Sequence, residues 1–511
     1  RSTQGVSSAA SDVYKRQNLI SKKKNMKRFF KPFSIIFLSA LAFVACDIES
    51  DLYVENPESP NDDILASDPV ALEATAGGLF RNWYMADSNY YGPGMALNTM
   101  ADTSSCSWGN AGMRDLSSEP RAAFNNTSSY GNNVTRSYFN SLYSVLTDAN
   151  QIALAVSNGV QFSDNNLMGA MAKFAQALAI GSSAMYFDKT WLSDETGVVG
   201  STDGSGHVEA MAFAIQKLDE AIAIASTNSF TVPASYMTKS YTSAQLAQIM
   251  SSYGARMLAG NGRTKAERDG ANWSKIAAYA AAGMQTDFEI VHDDVTWYDY
   301  FKTYLVYPGW ARIDLRVINL MDPTYPDYWP ANTTILPEAT SADARLASDF
   351  AYLNSQNFRP ERGEYHYSSY RYARYNEYIT EWTVPTEEIP YWETHMYLAE
   401  AKMRAGDVAG AAAIINSATG ARKVRGQITT DVPADAAAVD AAIHYERMVE
   451  FPLASSGISF FEMRGRDWLQ AGTLLHFPIP GTALESIPAD YYTYGGTEGV
   501  AGVDYSTGGW R

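Results

Sequence analysis

The chain has 511 residues, of which 46% are hydrophobic and 19% charged, a balance that is typical of a globular protein and argues against an intrinsically disordered one. The formal net charge of −17 argues against polyanion binding, because an acidic surface repels nucleic acids and anionic lipid headgroups. Aromatic residues make up 13%, including 33 Tyr and 11 Trp, which is more than a helical core requires.

The N-terminal region has the pattern of a bacterial secretory signal at residues 26–45. Basic residues precede an apolar run, Phe33–Val44, which is too short to span a membrane. Ala45 stands directly before Cys46, and this junction resembles a lipoprotein cleavage site at which Cys46 receives the lipid. An ordinary signal peptide with an incidental Cys is the alternative. We expect residues 1–25, which precede the signal, to be a non-native extension.

The mature chain is predicted to be an acidic tether, residues 46–68, followed by a single domain, residues 69–511. Residues 1–45 hold nine basic residues and one acidic one, so the mature chain keeps 30 basic and 55 acidic residues and has a net charge of about −25. The sequence has two Cys residues. With Cys46 acylated, Cys106 would lack a partner, and we expect the hydrophobic core rather than disulfides to stabilise the exported protein.

The domain begins with a predicted helix, Val70–Met85, which Pro69 opens. Residues Ala86–Thr135 are rich in Asn, Ser and Gly, and we predict a long loop there. Amphipathic helices then recur in hairpin-like pairs, with apolar residues every three to four positions. The four predicted hairpins lie near residues 136–191, 207–226, 243–286 and 391–416.

The clearest hairpin is Tyr391–Asn416. Gly406 can adopt the left-handed conformation that ends its first helix, and Asp407 can cap its second. The predicted buried stripe consists of Met396, Ala399, Met403, Val408, Ala412 and Ile415. Small side chains let the two helices approach closely, as tetratricopeptide-like repeats require. The sequence therefore predicts a mainly α fold that is interrupted by long loop and short-strand insertions.

The insertions carry clusters of aromatic residues. Trp297–Trp310 has seven aromatics in fourteen residues, and Tyr365–Tyr378 adds six tyrosines whose partial alternation predicts short strands or extended loops. An aromatic face beside polar groups suits a sugar, which has a flat C–H patch surrounded by hydroxyls. The predicted ligand contacts are Trp297, Tyr298, Trp310, Tyr328 and Trp329, together with Trp108, Asn110 and Asp102. The alternative is that these rings fill gaps between helical layers and loops.

Catalytic and metal-binding templates are absent from the sequence: it has no His-Glu-x-x-His pattern, no phosphate-binding loop and no Gly-x-Ser-x-Gly elbow. Asp293, Asp294 and Asp299 could supply a glycosidase pair. That chemistry needs two carboxylates at a set distance across a sugar, which proximity in sequence does not establish. We interpret these residues as surface carboxylates and predict no catalytic residue, metal ion or cofactor.

Four segments of the C-terminal half carry a family resemblance. They are residues 397–407 (YLAEAKMRAGD), Ile443–Phe451 (IHYERMVEF), Gly457–Arg464 (GISFFEMR) and Leu474–Pro480 (LLHFPIP). Together with the lipoprotein signal, they resemble the SusD/RagB family of nutrient-binding outer-membrane lipoproteins. In two places the chain departs from the family pattern: Asp188–Thr196 replaces a Tyr-Gly-Asp-Val-Pro segment, and Ser456 stands where an acidic residue is usual.

The resemblance implies a SusD-like α-helical fold with four tetratricopeptide-like hairpins. It also implies a non-catalytic cell-surface protein that binds a glycan or similar nutrient and delivers it to a SusC-like, TonB-dependent outer-membrane transporter. The lipid on Cys46 would anchor the protein to the outer membrane, facing the exterior. Within the motifs we expect ion pairs that brace the helices. The residues concerned are Glu446, Arg447, Glu450 and Arg464.

The resemblance transfers no binding residue, because the ligand contacts of this family follow no fixed motif. Two alternatives therefore stay open. The first is a surface enzyme that degrades polysaccharides. The second is a protein-interaction scaffold built on tetratricopeptide-like hairpins, which would bind no small ligand.

Overall fold

The computed structural model describes most of the predicted domain. The residues described are 68–105, 112–126, 129–330, 335–354, 367–487, 489–494 and 505–509. The predicted extension, the signal and Cys46 lie outside them, as do the predicted binding residues Trp108 and Asn110.

Helices dominate the described residues, which confirms the prediction of a mainly α fold. A 3₁₀ helix, Asn376–Ile379, precedes the last long strand. The α-helices are α1 (Pro69–Asp87), α2 (Gly94–Met100), α3 (Met113–Ser117), α4 (Ser129–Ser157), α5 (Asn165–Tyr186), α6 (His207–Thr227), α7 (Ala234–Met237), α8 (Ser243–Gly260), α9 (Lys265–Asp269), α10 (Trp273–Ala282), α11 (Tyr300–Val306), α12 (Leu315–Met321), α13 (Arg345–Asp349), α14 (Tyr391–Arg404), α15 (Val408–Ile415), α16 (Ala421–Val424), α17 (Ala436–Val449), α18 (Ile458–Arg464) and α19 (Gly481–Ser486).

The strands of the described segments are short and pair two by two, always antiparallel. They are β1 (Ser104–Ser105) with β8 (Arg312–Ile313), β2 (Phe124–Asn125) with β12 (Thr493–Tyr494), β3 (Ser193–Asp194) with β4 (Gly197–Val198), β5 (Thr231–Val232) with β6 (Tyr241–Thr242), β7 (Phe288–Ile290) with β11 (Thr386–Ile389), and β9 (Phe350–Tyr352) with β10 (Tyr370–Tyr372). Three of these pairs, β1–β8, β2–β12 and β7–β11, join segments that are far apart in the sequence, so they fasten the insertions to the helical body.

The largest hydrophobic core lies where α1, α4, α5, α6 and α8 pack together. Nearly every residue of α5 from Leu167 to Tyr186 is buried, and a helix that is apolar on all sides belongs in the middle of a bundle. Phe80 of α1 lies deep in this core, with its ring centroid 6.2 Å from that of Phe174 and 6.3 Å from that of Trp297. The core therefore reaches from the first helix to the insertion before α11.

The hairpin of α14 and α15 matches its prediction closely. Gly406 has φ +88°, the left-handed conformation that favours glycine, and the Asp407 carboxylate accepts the backbone N–H of Gly410 at 2.8 Å. Four residues of the predicted stripe are buried in a hydrophobic cluster that also contains residues of α17: Met396, Ala399, Ala412 and Ile415. Met403 and Val408 pack against this cluster.

Short helices lie where the sequence did not predict them. The region predicted as loop over 86–135 holds α2 and α3 and the first residues of α4, and the predicted hairpin near 243–286 also contains α9. All seven residues of α2 are buried, so it lacks the alternation of apolar and polar faces by which an amphipathic helix is recognised. Helices of five residues, such as α3 and α9, are also too short to show a period.

Buried ion pairs hold the C-terminal helices together. Arg268 and Arg447 each contact the carboxylates of Glu400 and Glu462, at distances between 2.5 and 2.9 Å, and all four side chains are at most 3% exposed. Burial alone would raise the pKa of Glu462, but Arg466, Arg268 and Arg447 together hold it well below its usual range. This cluster joins α9, α14, α17 and α18.

A second buried cluster surrounds Arg345, at the start of α13. Its guanidinium contacts Asp343 and Glu446 at 2.8 Å each and Glu450 at 2.9 Å. Glu450 also pairs with Arg374 at 3.0 Å. The predicted bracing role of Glu446, Arg447 and Glu450 therefore corresponds to ion pairs in the structure.

Arg464 differs from its prediction, because its guanidinium is held by backbone carbonyls. It donates to the oxygens of Met185 at 3.0 Å, Leu475 at 2.6 Å and Gly260 at 2.6 Å. Met185 and Gly260 lie in the last turns of α5 and α8, whose carbonyls carry partial negative charge. Burial, reinforced by the neighbouring Arg263, lowers the pKa of Arg464 to about 9. Arg464 thus ties three chain segments together through helix ends.

His444 of α17 is buried beside the first ion cluster. Its Nε2 faces the Arg316 guanidinium at 3.3 Å and can only accept there, so Nδ1 carries the hydrogen and donates to Glu462 at 3.1 Å. Burial lowers the pKa of His444 to about 4, although Glu462 acts in the opposite direction. The folded protein therefore keeps this imidazole neutral.

Because the unfolded chain binds a proton at His444 below about pH 6.5 and the folded protein does not, this residue destabilises the fold as the pH falls from 6.5 to 4. Between pH 7 and pH 4.5 we expect wild type to lose roughly 2 to 3 kcal/mol of unfolding free energy that His444→Gln does not lose. Urea unfolding of both proteins at the two pH values measures this. Glu388, whose pKa burial raises to about 7, acts oppositely in both proteins and so cancels. Parallel pH profiles would contradict the prediction.

Candidate functional site

Helix α11 organises the candidate site. The buried Asp299 caps its first turn by accepting the backbone N–H of Lys302 at 2.8 Å. The carbonyl of Ser88, directly after α1, accepts the N–H groups of Tyr300 and Phe301 at 3.1 and 3.2 Å. These contacts fix the start of α11 against the segment that links α1 to α2.

A continuous row of aromatic rings lies on one side of α11. Tyr90 contacts Tyr91, with ring centroids 4.8 Å apart, and Tyr304, with centroids 5.8 Å apart. Trp310 in turn lies 4.9 Å from Tyr304 and 4.8 Å from Tyr307, whose ring plane is within 19° of its own. Tyr91 and Trp310 are each 42% exposed, so the two ends of the row face solvent.

A second group of rings begins one helical turn away from Tyr304. Tyr300, which is 37% exposed, lies 4.4 Å from Tyr298 and 6.4 Å from Trp382 between ring centroids. Because Tyr300 and Tyr304 are four residues apart on one helix, the two groups are neighbours. We call the two groups together the aromatic surface. Its exposed rings are Tyr91, Tyr300 and Trp310, and its partly exposed rings are Tyr90, Tyr298, Tyr307 and Trp382. Tyr304, which is 3% exposed, is the buried ring that connects and supports them.

A buried polar network supports the aromatic surface from below. The Lys302 ammonium pairs with the Asp299 carboxylate at 2.8 Å, and both side chains are almost fully buried. His292 Nδ1 lies 2.8 Å from the carbonyl of Val384, which can only accept, so Nδ1 carries the hydrogen and Nε2 accepts from the Tyr84 hydroxyl at 3.0 Å. Burial lowers the pKa of His292, so the imidazole is neutral at pH 7. This buried network therefore fixes the position of α11.

The aromatic surface offers ring faces beside phenolic hydroxyls. Ring faces attract flat apolar C–H patches, and hydroxyls can donate and accept hydrogen bonds at the edges of the same ligand. The 3₁₀ helix that contacts α11 adds exposed carboxylates at Glu377 and, just beyond it, Glu381. The chemistry fits a ligand with flat apolar faces and polar edges, and it disfavours a strongly anionic one.

Comparisons with known proteins identify the architecture. No protein-family model matches the sequence, and no curated protein matches it. Among solved structures, 52 chains match. A SusD superfamily protein from Bacteroides vulgatus matches with a TM-score of 0.56 and 14% identity, over 83% of this chain and 99% of its own. The chain has the SusD fold.

Two further solved structures agree on the SusD fold. A SusD-like protein from Bacteroides fragilis matches with a TM-score of 0.56 and 16% identity, over 79% of this chain and 87% of its own. Surface glycan-binding protein A from Bacteroides uniformis matches with a TM-score of 0.53 and 13% identity, over 83% of this chain and 99% of its own. At such identities the likeness concerns the fold, so the binding residues of this SusD fold must be read from its own surface.

Two of the predicted ligand contacts, Tyr298 and Trp310, belong to the aromatic surface. The other members were not among the predicted ligand contacts. One signal could have found some of them, because Tyr300, Tyr304 and Tyr307 follow the spacing of one helical face. Tyr90 and Tyr91 belong to the aromatic surface because their segment contacts α11. No local sequence pattern indicates that contact.

Two predicted ligand contacts are buried in structural roles. Trp297 is only 7% exposed and packs against Phe80 and Tyr84 of α1, so its ring has no free face for a ligand. Asp102 is 2% exposed and pairs with Arg121 at 2.8 Å. We therefore correct the prediction for both and assign Trp297 to the core and Asp102 to a buried ion pair.

Tyr328 and Trp329 follow α12 in the chain, and the Trp329 ring contacts a tyrosine outside the aromatic surface. Tyr328 is 48% exposed, whereas the Trp329 ring is partly buried and lies 5.0 Å from that of Tyr367. Tyr325, in the same segment, lies 6.2 Å from Tyr370 on β10. Sequence proximity to Trp310 thus did not bring these residues into the aromatic surface, and their contact with a ligand stays a prediction.

Two of the three carboxylates considered for glycoside hydrolysis, Asp293 and Asp299, have structural partners. Asp293 accepts the backbone N–H groups of Val295, Thr296 and Trp297 at 2.7 to 2.9 Å. Burial alone would raise its pKa, but these hydrogen bonds and that of the Thr296 hydroxyl together hold the pKa below the usual range. Asp299 is the buried cap of α11, which corrects its interpretation as a surface carboxylate. The pKa of Asp293 is thus shifted away from the raised value that a general acid needs at neutral pH.

Across the described segments, His, Cys, Asp and Glu side chains form no group of three or more that could hold a metal ion. The helices of the same segments include none that is both long and apolar enough to cross a membrane.

Proposed function

We propose that the protein binds a glycan or a similar nutrient at the aromatic surface and does not cleave it. The observation that carries this proposal is the row of rings from Tyr91 to Trp310, exposed at both ends and set on a helix that is capped and fixed from below. The ligand class is supported by two proteins with this fold that are named for glycan binding, the surface glycan-binding proteins A of Bacteroides uniformis and Bacteroides fluxus. The structural roles of Asp293 and Asp299 support binding without cleavage.

We further propose that the protein is anchored to the outer membrane through lipid on Cys46, faces the cell exterior and passes its ligand to a TonB-dependent transporter. The sequence supports the anchor by the order of its basic residues, apolar run and Ala45–Cys46 junction. A lipid on Cys46 together with the other acyl chains of a bacterial lipoprotein would give stable attachment, since one chain alone binds membranes weakly.

Replacing Trp310 by alanine is expected to weaken glycan binding by about tenfold or more. Trp310 is the exposed end of the row, and truncating a tryptophan that anchors a ligand costs about 2 kcal/mol or more, of which 1.4 kcal/mol corresponds to tenfold. Calorimetric titration with a panel of neutral oligosaccharides measures the affinity, and a reducing-end assay on the same mixtures detects cleavage.

Tyr491→Ala is the matched control, because Tyr491 is 50% exposed and lies outside the aromatic surface. Its affinity should equal that of wild type. If Trp310→Ala binds every sugar of the panel as wild type does, the aromatic surface is not the site. Release of reducing ends by the wild-type protein would replace the binding proposal with that of an enzyme.

A further inference from the structure

A cleft of about 700 Å³ opens on another part of the insertion region, between α13, the β9–β10 pair and the segment before α13. This volume is within the range of small-molecule sites. None of its lining residues belongs to the aromatic surface. The two sites are nevertheless adjacent, since Arg371 of β10 donates both to the carbonyl of Val306 at the end of α11 and to Asn376 in the wall of the cleft.

The cleft exists because small side chains line it. Five of them are methyl groups, contributed by Ala339, Ala344, Ala347, Ala351 and Ala373. Two tyrosine rings, those of Tyr352 and Tyr370, lie 5.5 Å apart in the wall. The remaining lining is largely hydroxyl, amide and carboxylate. It includes Thr340, Ser341, Ser348, Asn376 and Glu338. Apolar patches and hydrogen-bonding groups therefore alternate over a few ångströms.

The walls of the cleft are fixed by buried contacts. Arg345 anchors α13 to α17 through Glu446 and Glu450. On the opposite side, the Tyr370 hydroxyl accepts the backbone N–H of Ala339 at 2.7 Å, and Asp322 accepts that of Thr340 at 2.8 Å. A cleft held in this way is formed before a ligand arrives, so binding does not require the walls to be ordered first.

We propose that this cleft is a second binding site, which takes a compact neutral polyhydroxylated molecule of the size of a mono- or disaccharide. The methyl groups and tyrosine rings would contact the C–H faces of such a molecule, and the hydroxyl, amide and carboxylate groups would bond its hydroxyls. The exposed Glu338 and the acidic chain as a whole disfavour an anionic ligand.

The test fills the cleft. Ala347→Trp and, separately, Ser348→Tyr place a large ring at two exposed positions of α13 that line it, and Ala223→Trp places the same ring on an exposed position of α6 as a control. The probes are glucose, N-acetylglucosamine, maltose and cellobiose, followed by saturation-transfer NMR and calorimetric titration. Thermal unfolding of each variant checks that it is folded.

At least one probe is expected to bind wild type, Ala223→Trp and Trp310→Ala with equal affinity, and to bind both filled variants at least tenfold more weakly. If no probe shows binding that depends on Ala347 or Ser348, the second site is refuted. Binding that disappears in Trp310→Ala but not in the filled variants also refutes it and assigns the sugar to the aromatic surface. If the cleft binds sugar and the aromatic surface does not, binding will be lost in the filled variants and kept in Trp310→Ala. The two proposals are therefore tested separately.

Discussion

Glu462→Gln is expected to lower the free energy of unfolding by about 3 to 5 kcal/mol at pH 7. Glu462 is fully buried and accepts from Arg268, Arg447 and Arg466 and from the neutral His444. Glutamine has the same shape, so the change removes the charge without opening a cavity. Arg268 and Arg447 would then keep only Glu400 as a buried carboxylate partner. The positive charges of the three guanidinium groups would repel one another in a region that water does not reach.

Urea unfolding measures this loss, and a second carboxylate gives the comparison. Glu289 pairs with Lys239 at 2.7 Å, but the two side chains are 35% and 44% exposed, so Glu289→Gln should cost less than about 1 kcal/mol. A loss of similar size in the two variants would mean that burial does not set the strength of the cluster. The midpoint should shift without a change in the slope against urea, because the folded structure buries the same surface.

Trp297→Ala is expected to destabilise the protein by about 3 to 5 kcal/mol and to leave sugar affinity unchanged in the folded fraction. The indole fills the space between Phe80 and Tyr84, and alanine would leave a cavity lined by their rings. Trp310→Ala removes the same side chain from a partly exposed position, where it loses only its contacts with Tyr304 and Tyr307, and should cost about 1 to 2 kcal/mol of stability. Trp297→Ala should therefore mainly lower stability, whereas Trp310→Ala should mainly lower sugar affinity.

Unfolding curves of both variants measure the change in stability. Calorimetric titrations at a temperature where each variant is folded measure the change in sugar affinity. A Trp297→Ala protein that is as stable as wild type and has lost sugar binding would restore Trp297 to the ligand site. Trp310→Ala is the matched variant for this comparison, because the two changes delete the same number of atoms from the same aromatic run.

The features of this fold that could be predicted from the sequence are local ones. The turn at Gly406, the cap at Asp407 and the apolar stripe from Met396 to Ile415 depend on residues a few positions apart, and all are present in the structure. The resemblance of the C-terminal motifs led to the SusD fold for the same reason, since those motifs are contiguous.

The candidate site depends on contacts that are not local. Trp297 and Trp310 lie thirteen positions apart in one aromatic run, and nothing in that run separates a core residue from a surface one. The difference arises because Trp297 precedes the cap of α11 and meets α1, more than 200 residues earlier in the chain. Tyr90 enters the aromatic surface by the same contact between α11 and the end of α1, which only the tertiary structure supplies.

The fastening of the two ends of the described chain bears on how the protein folds. Asn98 donates to the carbonyl of Pro452 across 354 positions, Arg121 reaches Thr473 across 352, and β2 pairs with β12. Chains whose contacts join distant residues fold slowly, because a long loop must close before those contacts stabilise it. Helix α2 therefore waits for α18, which is synthesised late, and a chain shortened before α18 would leave the apolar surface of α2 open to aggregation.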